Sequence, residues 1–95
     1  MAKKFNWGII GPGRIAQNFA NGLNVLNDAV LYGVASTNPE RAAEFASKNG
    51  GEKTFTSYEA LVADPKVDAV YIGTPHNFHV ENAMLCLNAG KPVLC

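Results

Sequence analysis

The sequence predicts an α/β domain: a doubly wound parallel sheet of five strands in the order 3-2-1-4-5. Three observations predict it. Short apolar runs alternate with stripes of helical period along the whole chain, so the elements read β-α-β-α-β-α-β-α-β. Glycine, proline and asparagine punctuate nearly every switch. The run at 67–72 is almost continuously apolar, as in strands covered on both faces. Right-handed crossovers between parallel strands then favour the doubly wound order, with its switch point between strands one and four.

The bulk properties agree with a single folded unit. Ninety-five residues, 47% of them apolar and 17% charged, suit one core and at most one domain, and exclude a disordered chain. Eight Lys and Arg balance eight Asp and Glu, so there is no basic surplus for nucleic acid or anionic membrane. No apolar run approaches the roughly 18 residues of a spanning helix. The start breaks into Asn6 and Gly8 before a signal-peptide core forms, so a cytoplasmic location is expected. The only cysteines, Cys86 and Cys95, lack the spacing of a disulfide framework, a zinc site or a redox motif.

The elements follow in order. Residues 5–10 form a short apolar strand that stops at Gly11. From Arg14, Ile15, Phe19 and Leu23 recur at four-residue intervals with Ala16 and Ala20 beside them, predicting a helix whose face packs on the sheet. Gly22, Asn24, Asn27 and Asp28 end it. The second strand spans 29–35, where Gly33 marks close packing against another element. Asn38, Pro39 and Glu40 supply an N-cap, a proline at the first helical position and an acid in the first turn. That helix runs to Asn49 and stops at Gly50-Gly51. A short strand at 53–55 precedes Thr56 and Glu59, which fit a capping box for a short helix carrying Tyr58, Leu61 and Val62 and closed by Asp64-Pro65. After the 67–72 strand, a last helix over 78–88 shows Val80, Ala83, Met84 and Leu87 at the i, i+3, i+4, i+7 spacing of a buried face. Gly90 and Pro92 form its exit into a fifth strand at 93–95.

In this topology ligands bind beyond the carboxyl ends of the strands, which gathers the segments after Ile10, Ala35 and Ile72 around one crevice. The first carries Gly11-Pro12-Gly13-Arg14-Ile15-Ala16, a G-x-G-x-x-[G/A] run between a strand and a helix. Gly11 makes the tight turn, Gly13 admits a pyrophosphate to the backbone, and Ala16 lets the helix approach the strand. The free N–H groups at the helix start hold the anion. A plain βα turn would use glycines for backbone angles alone, but strand, helix and spacing together favour a nicotinamide dinucleotide.

NAD-specific sites place a carboxylate about 20 residues on, at the end of strand two. Here that stretch is Ala35-Ser36-Thr37-Asn38, with Arg41 on the next turn. Ser36 and Thr37 hydroxyls and the Arg41 guanidinium suit a 2′-phosphate, so NADP is favoured over NAD. Asn38 reads as a helix cap with either cofactor. The only histidines, His76 and His79, follow strand four; lacking a third clustered ligand they do not form a metal site, and they fit contact with the nicotinamide half, with Thr74 and Pro75 as its wall. Lys91 precedes strand five, at the opposite edge of the sheet, and is not catalytic.

The glycine run, Pro39-Glu40-Arg41-Ala42, Tyr71-Ile72-Gly73-Thr74-Pro75-His76-Asn77-Phe78-His79 and Ala89-Gly90-Lys91-Pro92-Val93-Leu94-Cys95 together resemble the Gfo/Idh/MocA oxidoreductases, in particular their NADP-linked dihydrodiol and xylose dehydrogenase branch. The resemblance covers the whole chain. It implies a Rossmann dinucleotide-binding domain of an enzyme moving hydride between a nicotinamide cofactor and a sugar, polyol or related alcohol. It further implies that Gly11, Pro12, Gly13, Arg14 and Ile15 hold the pyrophosphate. Ser36, Thr37 and Arg41 would surround the adenosine ribose, and Thr74, Pro75, His76 and His79 would line the path to the nicotinamide. In the family a Glu-Lys-Pro stretch carrying a principal catalytic lysine, a last strand and a substrate domain come next. These 95 residues contain none of them, so the expectation is an incomplete nucleotide-binding domain, inactive alone and prone to self-association through its strand-five edge. The alternative is a stand-alone nucleotide-binding or regulatory module, such as a redox sensor or a coenzyme A binding domain.

Overall fold

The computed structural model describes residues 5–23, 25, 26, 28–74 and 78–94; Pro75, His76 and Cys95 lie outside them. The elements are β1 (Phe5–Ile10), α1 (Arg14–Leu23), β2 (Ala29–Ala35), α2 (Pro39–Asn49), β3 (Lys53–Phe55), α3 (Tyr58–Ala63), β4 (Ala69–Ile72), α4 (His79–Asn88) and β5 (Val93–Leu94). They build a five-stranded parallel sheet in the order β3-β2-β1-β4-β5, as the period switches predict.

Helices cover both faces of the sheet. Ile9, Leu31, Val34 and Tyr71 meet Ala16, Ala20 and Leu23 of α1 and Ala42, Phe45 and Ala46 of α2. Ile10, Tyr32, Ala35, Val70 and Ile72 meet Leu61 and Val62 of α3 and Cys86 of α4. Successive strand residues alternate between these layers, as the pleat requires. One irregularity breaks the alternation. Trp7 pairs with Leu31 but Gly8 pairs with Gly33, so Tyr32 is an extra residue bulged out of the ladder. Tyr32 and Gly33 therefore face the same layer, and Gly33 has to be glycine: a Cβ there would sit 2.7 Å from Phe55 Cε2 and 3.0 Å from Leu61 Cδ1.

The helix ends follow local chemistry. Asn38 Oδ1 accepts from the backbone N–H groups of Glu40 (3.0 Å) and Arg41 (3.2 Å), and Gly50 closes α2 at φ 77°. Lys91 Nζ donates to the carbonyls of Asp64 (3.0 Å) and Val67 (2.7 Å), tying the α4–β5 loop to the α3–β4 loop on the amino side of the sheet, away from the crevice.

Four expectations are corrected. Ile15 is 64% exposed; the stripe of α1 that packs on the sheet is Ala16, Ala20 and Leu23, with Phe19 at its margin. The cap of α3 is Ser57, whose Oγ accepts from Ala60 N–H at 3.1 Å, and not Thr56. β4 begins at Ala69 and not at residue 67, because Val67 N–H closes a turn onto the Asp64 carbonyl and the Asp68 carboxylate takes the Asn6 N–H. On α4, Val80 is 76% exposed and Met84 and Leu87 are about half exposed, whereas Asn82 and Cys86 are buried. The inward side of α4 is the one where Cys86 packs in the core with Ala83 and Leu85 against it, and where Thr74 Oγ1 donates to Asn82 Oδ1 at 2.6 Å.

Candidate functional site

Three strand ends form the floor of the site. Gly11 N–H donates to the Ala35 carbonyl (3.1 Å), Gly73 N–H to the Ile10 carbonyl (2.8 Å) and Ser36 N–H to the Phe55 carbonyl (3.4 Å), so the segments leaving β1, β2 and β4 are pinned side by side. Gly11 sits at φ +79°, and a Cβ on it would be 2.6 Å from Thr74 Cγ2. A Cβ on Gly73 would fall 2.7 Å from the Gly11 carbonyl oxygen. These two glycines are required by the close approach of backbones. Gly13 differs, because nothing lies within 4 Å of the position its Cβ would take. Its bare backbone opens onto the site, where a ligand can come close.

α1 begins directly behind Gly13 and carries no acid in its first turn. The leading N–H groups of a helix have no partner within it, and its dipole places partial positive charge there, so this end accepts an anion. A cleft of about 1300 Å³ opens above it. Gly11, Pro12, Gly13, Arg14, Ile15, Ser36, Thr37, Arg41, Thr74 and His79 all line this cleft, so the topology brings together every expected site residue that the structure describes. Pro75 and His76 lie outside the described residues.

The side chains differ in what they can offer. Ser36 is only 6% exposed and its Oγ accepts from Asn38 N–H at 3.1 Å, so it shapes the turn after β2. Thr37 and Arg41 are exposed on the cleft wall. Arg14, at the start of α1, lines the same cleft, and no carboxylate ends β2. Thr74 is nearly buried and fastened twice to α4, through its hydroxyl to Asn82 and through its carbonyl to His79 Nε2 at 2.7 Å. A carbonyl only accepts, so Nε2 carries the proton in this contact. His79 therefore holds the loop after β4 in shape as well as lining the cleft.

Further lining residues escape sequence reasoning. Tyr58 and Glu59 arrive from the start of α3, Phe78 from the cap position before α4, and Glu81, Asn82 and Met84 from α4. No local signal marks the first pair, since their place depends on how α3 packs. Asn82 does carry one, a polar residue within a helix otherwise rich in apolar side chains. Among the described residues no three His, Cys, Asp or Glu side chains converge as a metal site would require.

Comparison with known proteins agrees with this geometry. Residues 5–95 match the family model GFO_IDH_MocA, described as an oxidoreductase family with an NAD-binding Rossmann fold. The chain is similar to D-xylose 1-dehydrogenase (NADP(+)) of Hypocrea jecorina, 41% identical over 101 residues that cover 94% of this chain and 26% of that protein. It is also similar to human trans-1,2-dihydrobenzene-1,2-diol dehydrogenase, 44% identical over 91 residues, covering 94% of this chain and 27% of the relative. Among solved structures, levoglucosan dehydrogenase in complex with NADH superposes with a TM-score of 0.91 at 29% identity, over 98% of this chain and 27% of that one. The chain thus spans about a quarter of the length of the proteins it matches.

Proposed function

We propose, from the premise that this chain belongs to the Gfo/Idh/MocA family of oxidoreductases with an NAD-binding Rossmann fold, that it is the cofactor-binding part of an NADP-preferring enzyme acting on a sugar, polyol or related alcohol. One observation carries the cofactor preference: β2 ends in Ala35 with no carboxylate following, while Thr37 and Arg41 stand exposed on the same cleft wall. An Asp or Glu there would accept bonds from a ribose 2′-hydroxyl and repel a 2′-phosphate, whereas a guanidinium pairs with the phosphate. The similarity to an NADP(+) enzyme supports the same choice. The xylose and dihydrodiol dehydrogenases among its relatives support the substrate class.

In this reading the α1 start and Gly13 bind the diphosphate, Arg41 and Thr37 bind the 2′-phosphate, and Thr74 with His79 shapes the wall beside the nicotinamide half. The bound cofactor supplies the hydride chemistry. The chain spans about a quarter of the length of its relatives, and this reading assigns to it the binding of the dinucleotide and not turnover on its own. Cytoplasmic residence belongs to the same proposal. Among the described residues no helix is long and apolar enough to cross a membrane.

Displacement of bound NADPH by adenosine fragments tests the preference. We expect 2′,5′-ADP to compete at concentrations at least about tenfold lower than 5′-AMP, the worth of a charged hydrogen-bonded pair. Equal potency of the two fragments would contradict an NADP preference.

A further inference from the structure

On the dinucleotide reading of the cleft, we infer that Asn82 is a cofactor-contacting residue, its side-chain NH₂ donating to acceptor oxygens of the nicotinamide-mononucleotide half, with Thr74 fixing which end of the amide faces the cleft. Asn82 is 5% exposed, and an amide at that depth needs its polar atoms satisfied. Its oxygen is satisfied by Thr74 Oγ1, which donates to Asn82 Oδ1 at 2.6 Å, so the NH₂ is the end turned away from Thr74. Among the described residues its nitrogen has no hydrogen-bond partner, yet none of their enclosed side-chain polar atoms is left unpaired. The NH₂ therefore reaches open surface, and the surface that Asn82 lines is the cleft.

Thr74 has little freedom to release this arrangement. His79 Nε2–H holds its carbonyl at 2.7 Å, and Gly11 packs so closely on its other side that a Cβ there would lie 2.9 Å from the Thr74 nitrogen. The loop after β4 and the second turn of α4 thus present a neutral donor beside the pyrophosphate turn, a group that suits ribose or phosphate oxygens without competing for the arginines' charge. A purely architectural Thr–Asn pair would need only the Asn82 oxygen.

The test separates these roles. Asn82→Asp keeps an oxygen for Thr74 but replaces both donor hydrogens with an acceptor, and Asn82→Ala removes the amide without adding charge. Thr74→Val removes the hydroxyl that fixes the amide. Each is titrated with NADPH and with 2′,5′-ADP, which lacks the nicotinamide half, and its thermal melt is recorded. We expect Asn82→Asp to weaken NADPH about tenfold or more, Asn82→Ala and Thr74→Val about threefold to tenfold, and 2′,5′-ADP binding to move by less than about twofold in all three. Parallel weakening of both ligands, or unchanged NADPH binding in the variants that fold, would overturn the assignment. A wild-type chain that binds neither ligand would instead remove the dinucleotide reading, and with it this contact.

Discussion

Gly11 and Thr74 are in such close contact that a single added carbon at Gly11 would lie 2.6 Å from Thr74 Cγ2 and 2.9 Å from the Thr74 nitrogen. The turn after β1 and the loop after β4 are therefore one surface. Gly11→Ala would suffer both that clash and the φ of +79°, where L side chains are strained. We expect it to lower stability by about 1–3 kcal/mol and to weaken NADPH binding, because relief of the clash must displace Thr74 from the cleft wall. Thermal melts and NADPH titration of the variant check this; an unchanged melting temperature with full affinity would contradict it.

Arg41 stands exposed on the cleft wall at the first turn of α2, beyond the Asn38 cap. Arg41→Ala leaves that cap intact, since Asn38 binds only the backbone N–H of residue 41. Its expected effect is a loss of about tenfold to a hundredfold in NADPH affinity with little change for NADH, read by titrating both cofactors. Equal losses for the two would mean that Arg41 serves the diphosphate or the fold.

Away from the cleft, Tyr32 Oη donates to Asp64 Oδ2 at 2.9 Å, with Lys53 Nζ 3.4 Å from the same oxygen. Burial alone would push the Asp64 carboxyl up, but the Lys66 N–H, the Tyr32 hydroxyl and Lys53 outweigh it and hold the group below its usual range. Burial first, and then the bond to Asp64, push the Tyr32 hydroxyl above its usual range. A lowered acid stabilises the fold above its unfolded pKa, about 4, and loses that contribution as pH falls through the folded value. A raised phenol contributes below about pH 10 and loses its contribution as pH rises through the folded value. Urea midpoints measured across pH should thus fall off at both extremes. Tyr32→Phe should flatten the alkaline limb and reduce the acid one; an unchanged alkaline limb would contradict the pairing.

β5 lies at the edge of the sheet with Leu94 about half exposed, and an unpaired edge is a template for another strand. The 95-residue chain is expected to self-associate at high concentration, and Leu94→Lys to shift it towards monomer on size-exclusion chromatography. A wild-type chain that elutes as monomer at every concentration would contradict this.

Much of the fold is legible in the sequence because its determinants are local. Gly11 and Gly50 have positive φ and end elements, Asn38 and Pro39 begin one, and the strand periods differ from the helix periods. Helix faces are less legible. Val80, Met84 and Leu87 have the spacing of a buried stripe, but α4 turns inward the side where Cys86 packs in the core and Asn82 bonds Thr74, a contact between an adjoining loop and the helix that the spacing does not reveal. Ser57 and Thr56 are adjacent hydroxyls, and only the backbone path decides that Ser57 reaches Ala60 N–H. In the site, the glycine turn and the β2 end are readable as contiguous runs. Tyr58, Glu59 and Asn82 enter the cleft through packing between distant segments, which no spacing rule encodes.

The most direct test of the account follows Trp7 fluorescence while NADPH or NADH is added. Trp7 packs edge-on to Phe19 at 5.0 Å between ring centroids, and Phe19 stacks on Tyr71 at 4.2 Å, so an aromatic chain links the reporter to a residue lining the cleft. NADPH is expected to quench Trp7 saturably, with NADH binding more weakly. No saturable change with either cofactor up to millimolar concentration, from a chain shown to be folded, would contradict it.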